Sequence, residues 1–392
     1  MIITLPLIMA FLGICLDYKA YRRIINSAVK RYVKYAFVSV VVISYLLVLL
    51  VPIVAYLFMN VENSALVMKS VMVMLTTYLA LSVPRLLFCI LWLPAKSRFG
   101  LWFGGVTSGL LFIIFVYSIF ITRTDYEVKS VGLYYDNLPI EFNGYRVAFL
   151  SDLHIGSMMN AENELREIIG VINKEDVDIV LFGGDMINIH HTEVTEQLLC
   201  GLSGLKAPDG GYMVFGNHDT GAYVKNSTEA YRKANMDSLH VKMSSVGWGV
   251  LRDTTVYIRR GEESIAITGI DYTENLLKYK HSMDAVKGID LGHIYNNVDD
   301  SVFNITVSHL PQLWRSLCDN GYSDLTLSGH IHAMQMRLGS FSPARFMYKE
   351  WSGLYENENR KLYINDGIGC VGYLARFGAR PEITVIELRC KE

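Results

Sequence analysis

The sequence has little charge and no excess of either sign. Only 19% of its 392 residues are charged and the formal net charge is −2, which argues against a general attraction to nucleic acid or to other acidic partners. Cysteine is also scarce, with six residues. No C-x-x-C pair occurs among them, so a zinc ribbon is excluded. The sequence contains no internal repeat and no low-complexity tract, and its apolar residues are the first guide to its organisation.

Long apolar runs dominate the first third of the chain. Hydrophobic residues make up 51% of the sequence, and most of the excess lies before Ile121. About 20 apolar residues cross the hydrocarbon core of a bilayer. The start of the chain, Met1–Leu16, is shorter, but Tyr18 and Lys19 can anchor its end. We therefore expect a transmembrane region over residues 1–122 with about four helices. Its spans are Met1–Leu16, Phe37–Leu57, Ala65–Val83 and Leu101–Ile121.

Two other interpretations of the apolar region are weaker. A secretory signal at Met1–Leu16 needs a basic stretch before the apolar run and a small-residue cleavage site, and the sequence has neither. A transporter commonly places Asp, Glu or His at the middle of the membrane. The four predicted spans contain none of these residues.

The basic residues predict how the spans are oriented, because loops rich in Lys and Arg stay in the cytoplasm. The second loop, around Asn60–Asn63, has no basic residue. The first and third loops are basic, through Lys19, Arg22, Arg23, Lys30, Arg31 and Lys34, and through Arg85, Lys96 and Arg98. We therefore expect an integral protein of a bacterial cytoplasmic membrane, with both termini and the large domain outside the cytoplasm.

From about Asp125 short apolar strands alternate with amphipathic helices, which predicts an α/β domain of packed sheets flanked by helices over residues 123–392. Polar side chains follow the strands at the point where each ends. Ligand sites of α/β sheets lie outside the carboxyl ends of strands, so these side chains are expected to converge. They are Asp152, His154, Asp185, Asn217, His218, His309, His330 and His332.

The residue types at these strand ends point to metal chemistry. Taken singly, an Asp or His at a strand end is usually a cap or turn residue, and Asn217 beside Gly216 has a turn interpretation. Five of the ten histidines, however, fall at such positions. Carboxylate and imidazole without thiolate suit two borderline divalent ions such as Mn²⁺, Fe²⁺ or Zn²⁺.

The polar strand ends form short motifs in a fixed order. They are Asp152-x-His154, Gly184-Asp185, Gly216-Asn217-His218-Asp219, His309 and Gly329-His330-x-His332. The series resembles the calcineurin-like metallophosphoesterase superfamily, over roughly Arg146–Arg389. The resemblance implies a four-layer αββα sandwich and two divalent metal ions, of which manganese is favoured.

The same resemblance implies a role for each residue. The ligands are Asp152, His154, Asp185 and His332 for the first ion, and Asp185, Asn217, His309 and His330 for the second. Asp185 would thus bridge the two ions. His218 is expected to face the phosphate rather than a metal, and either to protonate the leaving oxygen or to stabilise the transition state. Asp219 is expected to orient His218.

Some positions depart from the wider pattern. Protein phosphatases of the superfamily carry an Asp three residues after the bridging one to hold the catalytic His, and this sequence has Asn188 there. The support of His218 must therefore differ. Asn188 also counts against the purple acid phosphatases, which have a metal-binding Tyr at that place. His190 and His191 are interpreted as loop residues.

Four segments near the C-terminus narrow the resemblance, and they are Gly329–Arg337, Gly353–Tyr355, Leu362–Gly369 and Arg380–Thr384. They look like the YkuE/YaeI-type branch, which includes membrane-attached bacterial enzymes and animal transmembrane proteins. Its usual two Gly after the last His are replaced here by Ala333-Met334, which leaves every metal ligand in place. Some relatives cleave the pyrophosphate of UDP-2,3-diacylglucosamine in lipid A synthesis, so a lipid-linked phosphate is the expected substrate class. The alternative is a receptor or sensor that binds a phosphorylated ligand without catalysis.

Overall fold

The computed structural model describes residues 4–27, 30–58, 64–95, 98–279 and 284–391. Two compact units make up the chain. The first comprises Met1–Arg123 together with Val371–Phe377, and the second comprises Thr124–Cys370 together with Gly378–Glu392. The predicted second loop, Asn60–Asn63, lies outside the described residues.

The described residues of the first unit form four long helices, which are α1 (Thr4–Ile25), α2 (Arg31–Phe58), α3 (Ser64–Ala95) and α4 (Arg98–Phe120). Among the described helices, the three that are long and apolar enough to cross a membrane are α2, α3 and α4. Three of the predicted spans are therefore supported by length and composition. The fourth, Met1–Leu16, corresponds to the start of α1, whose second half carries Asp17, Lys19, Arg22 and Arg23.

A charged pair is buried among these helices. The prediction that Arg85 lies in a basic loop is wrong, because α3 continues through Pro84 to Ala95. The Arg85 Nε atom lies 3.0 Å from Asp17 Oδ1 of α1, and the Tyr45 hydroxyl of α2 donates to Asp17 Oδ2 at 2.8 Å. A buried charge is tolerated when it is paired and hydrogen-bonded, so two charged residues far apart in the sequence neutralise each other inside the unit.

The segment Val371–Phe377 belongs to the helical unit although it follows the helices by some 250 residues. The Leu374 N–H donates to Thr76 Oγ1 of α3 at 2.7 Å. The ring of Phe377 meets that of Phe115 of α4 edge-on, with centroids 4.8 Å apart. These contacts fix the segment to two helices through both main chain and side chain.

In the part of the second unit that the structure describes, there are two mixed sheets of six strands each. The described strands are β1 (Glu127–Tyr135), β2 (Tyr145–Leu150), β3 (Ile179–Phe182), β4 (Gly211–Met213), β5 (Trp248–Val250), β6 (Thr254–Arg260), β7 (Glu263–Gly269), β8 (Asn304–Val307), β9 (Leu325–Ser328), β10 (Gly353–Asn357), β11 (Arg360–Ile364) and β12 (Glu382–Cys390). The first sheet has the order β1-β12-β2-β3-β4-β5, and the second has the order β10-β11-β9-β8-β7-β6. Within the first, β2 to β5 run parallel, as do β7, β8, β9 and β11 within the second.

Alternating side chains of the central strands enter two different cores. Val147 and Phe149 of β2 pack between the sheets, against side chains such as Ile305 of β8. Ala148 and Leu150 of β2 point the other way, into the core formed with the helices. Burying one large apolar side chain stabilises the fold by about 1.5–3 kcal/mol. Strands buried on both faces appear as unbroken apolar runs, and Val147–Leu150 of β2 is such a run.

Helices pack on the outer face of the first sheet. The helical core includes Ile168, Leu198 and Leu239, one from each of three helices. The helices of this unit are α5 (Ala161–Ile172), α6 (Glu196–Leu202), α7 (Glu229–Ser245), α8 (Glu274–Tyr279), α9 (Leu291–Tyr295) and α10 (Trp314–Asp319). They leave the carboxyl ends of the parallel strands to the loops that carry the polar motifs.

Three parts of the second unit differ from the sequence-based expectation. β1 and β10 were not predicted. The sequence Gly249–Tyr257 has the pattern of one strand, but it forms parts of two strands in different sheets, β5 and β6. The chain breaks between them at Asp253, whose φ of 51° cannot continue a strand.

Candidate metal centre

The polar residues at the strand ends adopt an unusual backbone conformation. Asp152 and His154 follow β2 with φ of 54° and 42°, and Asp185 follows β3 with φ of 59°. His330 and His332 follow β9 with φ of 75° and 53°. Residues other than Gly rarely take positive φ, and such strain concentrates at functional sites. Five predicted site residues thus share a conformation that the surrounding structure must hold in place.

The first group of polar residues is compact and buried. Asp152, His154, Asp185 and His332 each offer one ligand atom, and these atoms all lie within 4.8 Å of one another. His332 Nε2 lies 2.9 Å from Asp152 Oδ1, and His154 Nε2 lies 3.5 Å from Asp185 Oδ2. The structure therefore brings together the four residues expected around the first ion.

The second group surrounds the other side of Asp185. His309 Nε2 lies 3.3 Å from Asp185 Oδ2 and 3.2 Å from the side-chain oxygen of Asn217. His330 Nδ1 lies 3.2 Å from the same His309 nitrogen. The residues expected around the second ion thus lie together, with the Asp185 carboxylate shared between the two groups.

The donor atoms of the first group fit a divalent cation. Both ring nitrogens of His154, and Nδ1 of His332, are buried without a hydrogen-bond partner among the described residues. A buried polar atom without a partner costs about 1–3 kcal/mol. Imidazole nitrogens beside two carboxylates are the ligands that borderline divalent ions prefer. An ion bound through one nitrogen of each ring would therefore satisfy one of the two unpartnered atoms of His154.

The pKa values keep most of these residues in the form that binds metal. Burial lowers the pKa of His154 well below its usual value and that of His330 to about 3, so both rings stay neutral. Burial opposes ionisation of Asp185, but nearby His309 and His218 outweigh it and hold its pKa low. For His309, burial is outweighed by Asp185, which raises the pKa to about 9. A proton and a metal ion would therefore compete for His309.

His218 lies at the edge of both groups. Its main-chain N–H donates to Asp185 Oδ1 at 2.8 Å. Its ring Nδ1 lies 2.6 Å from the main-chain oxygen of Asn188, and because a carbonyl can only accept, Nδ1 carries the proton. Nε2 is then the nitrogen left for substrate chemistry. The ring meets that of His154 edge-on, with centroids 4.7 Å apart.

Asp219 supports a loop. Its carboxylate accepts N–H groups from Asp185 at 2.7 Å, Ile187 at 3.1 Å and Gly216 at 2.8 Å. Burial and the charge of Asp185 raise the pKa of Asp219 to about 8. No hydrogen bond described in the structure joins this carboxylate to the ring of His218, whose ring partner is the Asn188 carbonyl instead.

Tyr223 belongs to the site and was not predicted. Its hydroxyl accepts a hydrogen bond from the Asn217 side-chain nitrogen at 2.7 Å, which turns the Asn217 oxygen toward His309. Its ring stacks on His218, with centroids 4.2 Å apart and an angle of 22°. A tyrosine six residues beyond Asn217, the asparagine expected to bind metal, has no spacing that would mark it in the sequence.

Comparison with known proteins agrees with this geometry. A sequence model of the family described as calcineurin-like phosphoesterase matches residues 145–334. The metallophosphoesterase YkuE of Bacillus subtilis is 28% identical over 278 residues, which are 69% of this chain and 86% of YkuE. A transmembrane protein with metallophosphoesterase domain from Danio rerio is 27% identical over 284 residues, 71% of this chain and 60% of that protein.

Two further comparisons are more distant. A metallophosphoesterase of Helicobacter pylori is 26% identical over 267 residues, 67% of this chain and 64% of that protein. A solved phosphopantetheinyl hydrolase from Mycobacterium tuberculosis has 11% identity and a TM-score of 0.36, covering 56% of this chain and 88% of that one. The family match and the buried Asp/His cluster show that residues 145–334 form a calcineurin-like metallophosphoesterase domain, of a family of metal-dependent phosphoesterases, with YkuE and the Danio rerio transmembrane protein as distant homologues.

Proposed function

We propose that the protein is a membrane-anchored hydrolase that uses two divalent ions to cleave a phosphodiester or pyrophosphate bond of a lipid-linked substrate. The shared carboxylate carries this proposal, because one Asp185 oxygen lies 3.5 Å from His154 Nε2 and 3.3 Å from His309 Nε2. The proposed ligands are Asp152, His154, Asp185 and His332 for one ion, and Asp185, Asn217, His309 and His330 for the other. Manganese is the favoured ion.

The chain's own residues orient the reaction. Divalent ions bound there would offset the charge of the phosphate and lower the pKa of the attacking water. The neutral Asn217 oxygen contributes a ligand without cancelling positive charge. His218 is proposed to act with both ring nitrogens protonated. Its Nδ1–H donates to the Asn188 carbonyl, and the second proton, on Nε2, passes to the leaving oxygen. The hydrogen bond from the main-chain N–H of His218 to Asp185 fixes the position of the proposed acid relative to the proposed shared ligand.

We infer a four-layer αββα order for the catalytic unit. Ile168 of α5 packs in the core outside the first sheet. Trp314 of α10 packs against Leu362 and Ile364 of β11 in the second sheet. Helices thus cover part of an outer face of each sheet, which supports the sandwich implied by the family.

The lipid-linked substrate is supported by the helical unit. Three helices of membrane-spanning length confine the enzyme to a bilayer surface and so limit the phosphates it meets. A pyrophosphate such as that of UDP-2,3-diacylglucosamine belongs to this class. The basic loops favour a catalytic unit outside the cytoplasm, whereas lipid A synthesis is cytoplasmic. A reporter fused after Glu392 distinguishes an envelope phosphodiesterase from a biosynthetic pyrophosphatase.

Turnover of a simple diester tests the activity. The full chain in detergent is expected to hydrolyse bis-p-nitrophenyl phosphate with Mn²⁺. Asp185→Ala is expected to lose metal and activity together, and His218→Ala is expected to lose activity while keeping two ions per chain by elemental analysis. Absence of turnover by the wild type with Mn²⁺, Fe²⁺ and Zn²⁺ would refute the proposal. Ligand binding without turnover would then favour a receptor.

A further inference from the structure

The ring of His218 is held by a main-chain group. Its Nδ1 donates to the carbonyl oxygen of Asn188 at 2.6 Å, where family members with an Asp at that place use a carboxylate. A main-chain carbonyl cannot turn on its own. The orientation of the His218 ring therefore depends on the conformation of the loop that carries Asn188.

That loop is gathered around one buried carboxylate. Glu193 accepts N–H groups from Asn188 at 2.7 Å, Ile189 at 2.7 Å and His190 at 3.1 Å, and its side chain is buried. Hydrogen bonds to an ionised acceptor are roughly twice as strong as neutral ones. A Cβ at Gly156 would overlap the Glu193 carboxylate, so this glycine leaves the room that the carboxylate needs.

We propose that Glu193 is a positioning residue for His218, acting through the peptide groups of Asn188. The N–H of Asn188 donates to Glu193 and the carbonyl of Asn188 accepts from His218, so one residue connects the carboxylate to the ring. The inference rests on the acid role proposed for His218. The competing explanation is that Glu193 only caps the short helical turn His191–Glu193.

The two explanations differ in how activity depends on the leaving group. A poor leaving group needs a proton in the transition state, whereas a good one needs it less. Glu193→Gln keeps the shape but replaces one accepting oxygen with an NH₂ group facing the same amides. We expect kcat to fall about tenfold with diphenyl phosphate and about twofold with bis-p-nitrophenyl phosphate, because a misplaced acid matters most for the poorer leaving group. KM and the metal content are expected to stay unchanged.

Glu164→Gln is the matched control. Glu164 also accepts two main-chain N–H groups, from Met159 and Asn160 at 3.0 Å each, and like Glu193 it is 8% exposed. Its loop does not carry the partner of His218. This variant is expected to show the same ratio of rates for the two diesters as the wild type.

His218→Ala separates failure of this inference from failure of the proposed acid. It is expected to lose about 10²-fold or more with diphenyl phosphate, and Glu193→Gln is expected to add nothing in that background. If His218→Ala affects both diesters equally, the acid role itself is wrong. The positioning role is overturned if His218→Ala lowers the rate with diphenyl phosphate more than with bis-p-nitrophenyl phosphate but Glu193→Gln does not. It is also overturned if the rate losses of the two substitutions multiply in the double variant. Should Glu193→Gln not fold, Glu193→Asp provides the same comparison.

Discussion

A single methyl group at Gly216 is expected to disable the metal centre. A Cβ there would overlap the Asp185 carboxylate and lie 2.6 Å from the Asp185 amide nitrogen, whereas real Cβ atoms keep at least 3.0 Å. The main chain must therefore part by at least 0.4 Å, and the carboxylate must move further. The Asp185 carboxylate lies beside His154 and His309, so Gly216→Ala displaces the carboxylate that is proposed as a ligand of both ions.

The loss of metal affinity and rate in Gly216→Ala can be estimated from the displacement of the Asp185 carboxylate. Displacing a ligand or its support typically lowers metal affinity or activity 10- to 100-fold. Misplacing a catalytic group by about 1 Å costs about 10²-fold in rate. Gly216 is not among the glycines with positive φ, so backbone strain adds nothing, and overpacking costs about 1–3 kcal/mol. We therefore expect a folded protein with about 10²-fold lower kcat/KM and weakened Mn²⁺ binding.

Gly170→Ala is the control for Gly216→Ala. Gly170 lies within α5, and a Cβ there would have no atom within 4 Å. Alanine favours a helix over glycine by about 1 kcal/mol, so this variant should be as stable as the wild type or more so, with full activity. Calorimetric Mn²⁺ titration, metal content and diester turnover measure both variants. Wild-type Mn²⁺ affinity and turnover within twofold in Gly216→Ala would refute the reasoning.

Three further outcomes are expected of the full chain in detergent. Removal of metal by a chelator should lower the unfolding temperature, and Mn²⁺ should restore it. An ion at a free concentration of 100 times its Kd stabilises the folded state by about 2.7 kcal/mol. An unchanged unfolding temperature would count against a metal site at Asp152 and Asp185. Asp17→Asn or Arg85→Met should lower the free energy of unfolding by about 3–5 kcal/mol. The double exchange Asp17→Arg with Arg85→Asp should recover part of that loss. Equal melting temperatures of all these forms would contradict the buried pair. Burial raises the pKa of Asp253 to about 6, so the folded state binds this proton more tightly and stability falls as pH rises from 3.8 to 6. Asp253→Asn should therefore exceed the wild type in stability at pH 7.5 but not at pH 4, and parallel pH curves would refute this.

The set of residues at the candidate site could be predicted because strand ends carry it. A parallel strand that is buried on both faces is an apolar run, and the polar residue that interrupts it lies at the edge where ligands bind. Asp152 after β2 and Asp185 after β3 stand out for this reason. The partner of His218 could not be predicted, since the Asn188 group that it uses is a main-chain carbonyl that every residue type possesses.

Contacts between residues far apart in the sequence could not be predicted either. β1 pairs in parallel with β12, some 250 residues later, and it is largely half-exposed, so it lacks the apolar run of a central strand. Arg85 resembles a loop residue when it is considered locally. Its helical position depends on Asp17, 68 residues earlier, and a charge is tolerated inside a helical unit only when such a partner exists.

The loop from Asp185 to His190 is held mainly by two buried acidic side chains. Asp219 accepts the N–H groups of Asp185 and Ile187, and Glu193 accepts the next three, up to His190. Two buried carboxylates thus bind five of the six main-chain amides in this stretch. A residue with positive φ, such as Asp185, persists only where its surroundings over-determine the backbone. Because the same loop also holds the ring of His218, Asp219 and Glu193 fix both the proposed shared ligand and the proposed acid.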